Sequence, residues 1–271
     1  MNKLLVVGSL TGEVKTHRGN KREINQDNYL LELWEDETAI LAVVADGMGG
    51  NKGGEVASKI AVDTFLGLLE QPLPPEAFGR YELLLKGFYE ADRAIREQAS
   101  QDFKLMNMGT TIIAAIVTPT ELIHLYAGDC RLYHFSCNSP PYITADHSVV
   151  GVLLELGKIT PEEVSSHPMR SVVNSCLGGR GKAQLSIDPK WDSPPSPVRK
   201  LHSGDLLLLC SDGLHGEVSQ EVLESLVEQF RESSEKLTKA CVKAALENGG
   251  KDNITVIAIR VKNNSRGEKQ A

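Results

Sequence analysis

The stretch Leu41–Gly50, LAVVADGMGG, constrains the fold more than any other. An apolar run stops at a carboxylate, Asp46, and three glycines follow within four residues. Runs of this length bounded by glycine are buried strands. An isolated charge is too costly to hold out of water, so a carboxylate at the end of such a strand calls for a cation. The pattern recurs. DLLLLCSDG over Asp205–Gly213 ends in Asp212-Gly213, LIHLYAGD closes at Asp129, and Asp252-Asn253 stands just before the apolar run from Ile254. Four acidic strand ends far apart in sequence suit a hard-cation site with oxygen ligands on the rim of a rigid sheet, the preference of Mg²⁺ or Mn²⁺.

Between these runs the period changes. Val56, Ile60, Ala61, Phe65, Leu68 and Leu69 recur at helical spacing, QPLPPE breaks the pattern, and Tyr81, Leu84, Leu85, Phe88, Ala91 and Ile95 mark a second helix. GTTIIAAIV, ELIHLYA and RLYHF then read as antiparallel strands with short connections. His124 and His134 fall inside them and are expected to be satisfied structural histidines. Residues 146–178 hold helical pieces, one ending at Gly157 and one starting at Thr160, without a strong core stripe, which suits a flap over a site. Two amphipathic helices, about 219–230 and 234–248, precede the last strand. Residues 12–28 read as a polar connection whose basic residues, Lys15, Arg18, Lys21 and Arg22, lead into Gln26-Asp27. An arginine there suits phosphate, which takes a two-pronged guanidinium contact.

Strands and helices thus come in blocks. This predicts an α+β fold, with two packed antiparallel sheets of about ten strands and a helix pair outside each, rather than a doubly wound parallel sheet. A net charge of −7 argues against nucleic-acid or membrane binding, which needs a basic face. Five cysteines without a CxxC indicate neither a disulfide framework nor a zinc site, and they read as small hydrophobes in a reducing compartment. The N-terminus has too short an apolar run for a signal peptide, so a cytoplasmic protein is expected.

In register along nearly the whole chain stand Arg22 with Asn25-Gln26-Asp27, Val44–Gly50, Gly109-Thr110-Thr111, Gly128-Asp129 with Arg131, Asp146-His147-Ser148, Leu177-Gly178, Ser211–Leu214 and Asp252–Thr255. In these motifs the chain resembles the metal-dependent protein phosphatase family, the type 2C serine/threonine phosphatases, in its compact bacterial form. The resemblance implies a four-layer αββα sandwich, with residues 1–262 as one catalytic domain, 146–178 as its flap and 263–271 as a flexible tail. It implies hydrolysis of phosphoserine and phosphothreonine by metal-activated water, without a covalent intermediate. It assigns Asp46 as the bridge between two Mg²⁺ or Mn²⁺ ions, the Gly47 carbonyl to the first ion, and Asp212 and Asp252 to the second. Asp27 would act through water, Asp129 with Asp212 would hold a third ion, and Arg22 would bind the substrate phosphate. A phosphoprotein substrate, a cognate serine/threonine kinase as partner and a monomeric state follow by the same resemblance.

Two positions depart from the pattern. Asn51 stands where bacterial relatives carry histidine, which leaves the general acid open between water and His147. Cys130 replaces a serine, a near-isosteric change. A catalytically inactive binding module would need a lost carboxylate, and none is missing. A phosphodiesterase or nuclease is disfavoured by the acidic balance.

Overall fold

The computed structural model describes residues 3–34, 38–50, 52–137, 139–164, 167–179 and 185–262. Asn51 and the tail 263–271 lie outside the described residues. Strands β1 (Lys3–Val7), β2 (Leu10–His17), β3 (Asp27–Leu33) and β4 (Ile40–Met48) lead into helices α1 (Gly53–Gly67) and α2 (Ala77–Gln101). Next come β5 (Gly109–Val117), β6 (Glu121–Ala127), β7 (Arg131–Phe135) and β8 (Tyr142–Ile143), then α3 (Val149–Glu155) and α4 (Pro161–Val164). The chain continues through β9 (Leu177–Gly178), β10 (Val198–Lys200), β11 (Leu206–Cys210), α5 (Asp212–His215), α6 (Gln220–Phe230), α7 (Ser234–Glu247) and β12 (Ile254–Val261).

One sheet runs β1-β2-β12-β11-β7-β8, the other β10-β6-β5-β4-β3 with β9 beside β5, and the pairings are antiparallel. The continuous apolar runs are explained by burial on both faces. In β4, Leu41, Val43 and Ala45 face α1 and α2, while Ile40, Ala42 and Val44 face the other sheet. In β11, Leu206, Leu208 and Cys210 face α6 and α7, and Leu207 and Leu209 face inward. Three apolar layers result, and the middle one lies between the sheets. The outer helices bury the stripes read from sequence: Ala57, Ala61 and Phe65 on α1, and Leu84, Phe88, Ala91 and Ile95 on α2. Ser219 and Ser233 cap α6 and α7, accepting from the backbone N–H groups of Val222 and Lys236.

The α+β sandwich agrees with the expected block order, and one segment corrects it. Residues 12–17, read as part of a polar connection, belong to β2, which lies between β1 and β12. The strand escapes notice because few of its residues are apolar. Leu10 and Val14 face the inter-sheet core, whereas Glu13 is covered from outside by α7, where burial and the nearby Glu235 raise its pKa. Twelve strands stand among the described residues where about ten were expected. The flap region has the two expected helical pieces, and both its ends are tied to the second sheet. His147 N–H donates to the Gly128 carbonyl (2.9 Å) at one end, and Leu177-Gly178 pairs with Gly109-Thr110 at the other.

Phe65 is fully buried and meets Phe88 edge-on with ring centroids 5.4 Å apart. Phe65→Ala is expected to destabilise by about 3–5 kcal/mol in a urea titration. Phe103→Ala, at a ring 83% exposed, should change stability by less than about 0.5 kcal/mol.

Candidate metal centre

The inward-facing alternation does not stop where the apolar residues stop. On β4, Ile40, Ala42 and Val44 are followed at the same parity by Asp46, and on β3, Leu31 and Tyr29 are followed by Asp27. On β11 the next inward position after Leu209 is Ser211, and Thr111, Thr255 and Thr16 precede or follow Ile113, Ile257 and Val14 in the same way. At one edge, therefore, the inter-sheet layer turns from apolar to oxygen-bearing on six strands at once. Asp27 and Asp46 are direct cross-strand partners, with Thr111 opposite Asp46 on its other side. Carboxylates placed opposite one another destabilise a sheet unless something offsets their charge.

The hydroxyls form the floor of this cleft. Ser211 Oγ donates to Asp27 Oδ2 (2.8 Å) and accepts from the Thr255 N–H (3.0 Å), which ties the two sheets together. Thr16 and Thr255 share a hydroxyl hydrogen bond of 2.9 Å. Asp212 opens α5 one residue after Ser211, near enough for its charge to act on Asp46. Asp129 enters from the turn after β6. Gly128 sits there at φ +107°, so close to Thr111 that a Cβ would lie 2.4 Å from its side chain. His215 Nε2 contacts the Asp129 carbonyl (3.0 Å), and burial lowers the His215 pKa to about 4, so the ring is neutral. Gly47 leaves the strand with its backbone against α1, where a Cβ would come 2.0 Å from the Gly54 carbonyl oxygen.

Asp252 and Arg22 close the outer side. Arg22 Nη2 donates to Asp252 Oδ2 (2.6 Å) while half of the arginine side chain stays exposed. The loop carrying Arg22 is pinned by Asn253. Its Oδ1 accepts from the Gln26 N–H (2.8 Å), and its Nδ2 donates to the carbonyls of Arg18 and Ile24 (both 2.9 Å). The structure thus brings Asp27, Asp46, Gly47, Asp129, Asp212, Asp252 and Arg22 to one cleft. His147 is spent elsewhere. Its Nδ1 accepts from the Gly128 N–H (3.3 Å), and its Nε2 lies 3.1 Å from Asp188 Oδ2. His124 and His134 are buried, as expected. His124 meets the Pro197 carbonyl and the Tyr142 hydroxyl, and His134 meets Asp205 and Arg199.

The carboxylates fit a hard cation. Burial, and then the neighbouring Asp27, Asp212, Asp129 and Asp252, push Asp46 well above the ordinary carboxylate range. Burial also raises Asp27 to about 6, against the hydrogen bonds from Thr255 and Ser211, raises Asp212 to about 7 with help from Asp252 and Asp27, and raises Asp129 to about 8 with help from Asp212 and Asp146. Asp27 Oδ1 and Asp212 Oδ1 are buried without a hydrogen-bond partner. Among the described residues no three acidic, histidine or cysteine side chains already converge on one point at ligand spacing. Ser211, Thr255, Asn253 and His215 were not assigned roles from sequence. Continuing the inward parity past the last apolar residue finds Ser211 and Thr255, whereas nothing in the sequence joins Asn253 to residues 18–26.

The family model described as "Protein phosphatase 2C" matches residues 15–248. The serine/threonine phosphatase stp of Listeria welshimeri is 34% identical over 248 residues, which cover 91% of this chain and 94% of that protein. The crystal structure of the Mycobacterium tuberculosis serine/threonine phosphatase PstP/Ppp matches with a TM-score of 0.79 at 29% identity, covering 93% of this chain and 99% of that one. A catalytic domain of PstP in complex with two manganese ions matches with a TM-score of 0.77 at 26% identity, covering 94% and 99%.

The raised aspartates generate a pH dependence. The metal-free fold keeps protons that the unfolded chain, with aspartates near pKa 3.9, has already released. The native state therefore binds more protons, and stability falls as pH rises from about 4 to about 8. Metal binding needs these groups deprotonated and should act in the opposite sense. Calorimetry in chelator is expected to show Tm falling from pH 5.5 to pH 8, and added Mn²⁺ should raise Tm more at pH 8. A Tm that is the same at both pH values, with or without metal, would contradict this account.

Proposed function

Because the chain belongs to the protein phosphatase 2C family, we propose that the acidic cleft hydrolyses phosphoserine and phosphothreonine in proteins and releases inorganic phosphate. The protein is a serine/threonine protein phosphatase, a metal-dependent hydrolase. The observation that carries the assignment of this cleft is the direct pairing of Asp27 with Asp46, with the Asp212 carboxylate acting on Asp46 from the other sheet. Buried carboxylates placed against one another in this way support a cation site.

Divalent ions of the Mg²⁺ or Mn²⁺ type, two or three in number, would supply a water of lowered pKa and positive charge to set against the phosphate when bound in this cleft. Asp46, with the Gly47 carbonyl, would hold the first ion and would be shared with the second, which Asp212 and Asp252 would also hold. Asp27 would act through water, and Asp129 with Asp212 would hold the third. Arg22 has one nitrogen fixed on Asp252, and it turns its remaining N–H groups to the equatorial phosphate oxygens, where charge is greatest in an in-line displacement. Ser211 is a support and no nucleophile, since its hydroxyl donates to Asp27 and accepts from Thr255. We assign the proton for the departing Ser or Thr hydroxyl to water in the cleft, because the ring nitrogens of His147 are occupied and His215 is held neutral beneath Asp129.

We further propose that residues 1–262 work as one catalytic domain with 146–178 as its flap. The anchoring of both flap ends beside the carboxylates supports this. No helix among the described residues is long and apolar enough to cross a membrane. By its likeness to the bacterial phosphatases, we place the protein in the cytoplasm as a monomer that opposes a cognate serine/threonine kinase in signalling.

Phosphate release from a phosphothreonine peptide, with Mn²⁺ or with chelator, tests the reading on the wild type and Asp46→Asn. Release should require metal and fall at least about 100-fold in the variant. The metal-free variant should also melt higher than the metal-free wild type, because one of the opposed charges is gone. Release that persists in chelator, or an undiminished variant, would overturn the assignment.

A further inference from the structure

Beside the carboxylate cleft lies a groove of about 620 Å³ that the reaction described above does not use. Its inner wall is Arg22 and Gln26, from the segment that Asn253 pins against Asp252. Lys52 lines it from the start of α1, where the chain leaves the glycines that follow Asp46. Lys104 and Leu105 line it from the short 3₁₀ turn Phe103–Leu105. The groove and the carboxylate cleft meet at Arg22, which lines the groove and donates to Asp252 Oδ2 (2.6 Å).

Its chemistry is unlike that of the rest of the molecule. In a chain of net charge −7, three cations line this groove against two carboxylates, Glu23 and Asp102. Asp102 is already engaged, accepting the Lys104 backbone N–H at 2.9 Å. Among the described residues neither the Lys52 nor the Lys104 ammonium forms an ion pair. Both side chains are exposed. Ile24, 40% exposed, and Leu105 provide apolar surface between the charges. A peptide seated with its phosphoresidue on Arg22 has its neighbouring residues within reach of this groove, since each extended residue spans about 3.3 Å.

We infer that the groove between residues 22–26, Lys52 and the 102–105 turn is a substrate subsite, in which Lys52 and Lys104 select phosphoproteins carrying a second anionic side chain next to the scissile phosphoresidue. The inference rests on the phosphatase reading above. The shared chemistry is an anion on the flank of the peptide, and it comes from a carboxylate or from a second phosphate.

Phosphothreonine peptides carrying Asp, phosphoserine, Ala or Lys at each position within four residues on either side distinguish the two sources. At the favoured position wild-type kcat/KM should exceed that of the alanine peptide by about five- to tenfold for Asp, the scale expected of two exposed ion pairs. Phosphoserine should give a larger gain, and Lys should fall below Ala. The gain should reside in KM, as for binding made equally in ground and transition states, and it should shrink at about 0.5 M salt. In Lys52→Glu/Lys104→Glu the preference for an anionic flank should drop below about twofold or invert. A gain for phosphoserine alone narrows the ligand to a second phosphate, whereas gains for both support the general anionic subsite. Equal kcat/KM for all flanks, with the peptides turned over, or a preference that survives in the double variant would each overturn the subsite alone. No hydrolysis of any ester by the metal-loaded wild type would overturn the phosphatase reading itself, and the subsite with it.

Discussion

The structure depends on one unfavourable pairing. Asp27 and Asp46 face each other on adjacent strands, with Asp212 and Asp129 close by, in a place from which water is largely excluded. Left alone, such a cluster would relax by splaying the strands or keeping its protons. The fold resists splaying. β4 is held between β3 and β5, with α1 and α2 on one face and the second sheet on the other. The apolar layers stabilise the sandwich enough to carry the repulsion, and the repulsion in turn makes the cleft receptive to divalent cations.

Rigidity alone would not place the groups. Ser211 reaches from one sheet to Asp27 on the other, so the hydrogen bond that satisfies one carboxylate oxygen also fixes the separation of the sheets at the cleft. Gly47 and Gly128 let the backbone pass where a side chain would strike Gly54 or Thr111, and both passages deliver a functional group, the Gly47 carbonyl in one case and Asp129 in the other. Asn253 does for the Arg22 loop what strands do elsewhere: it satisfies one backbone N–H and two carbonyls that have no ladder.

What the sequence disclosed follows from these same causes. Asp46 and Asp212 were legible because each ends an apolar run, and a strand buried on both faces has no other reason to finish in a carboxylate. The block order disclosed the αββα layers, since helices α1, α2, α6 and α7 carry strong stripes. β2 was illegible because α7 covers its outer face over Glu13 and a glycine and a threonine, Gly12 and Thr16, alternate with Leu10 and Val14 on its inner face, so neither a clear alternation nor an apolar run appears. The roles of His147 and Asn253 were illegible for a different reason. Their partners lie across the chain, Gln26 being 227 residues from Asn253, and such contacts have no local signature.

β12 is the last strand among the described residues, yet it lies in the interior of its sheet, between β2 and β11, with Asp252 just ahead of it. Until residues 252–261 have left the ribosome, β2 and β11 have an empty lane between them, Thr16 and Ser211 lack their Thr255 partner, and Arg22 has no Asp252 to hold. A chain cut before residue 252 therefore keeps Asp27, Asp46, Asp129 and Asp212 but loses the strand that holds Thr16, Ser211 and Arg22 around them.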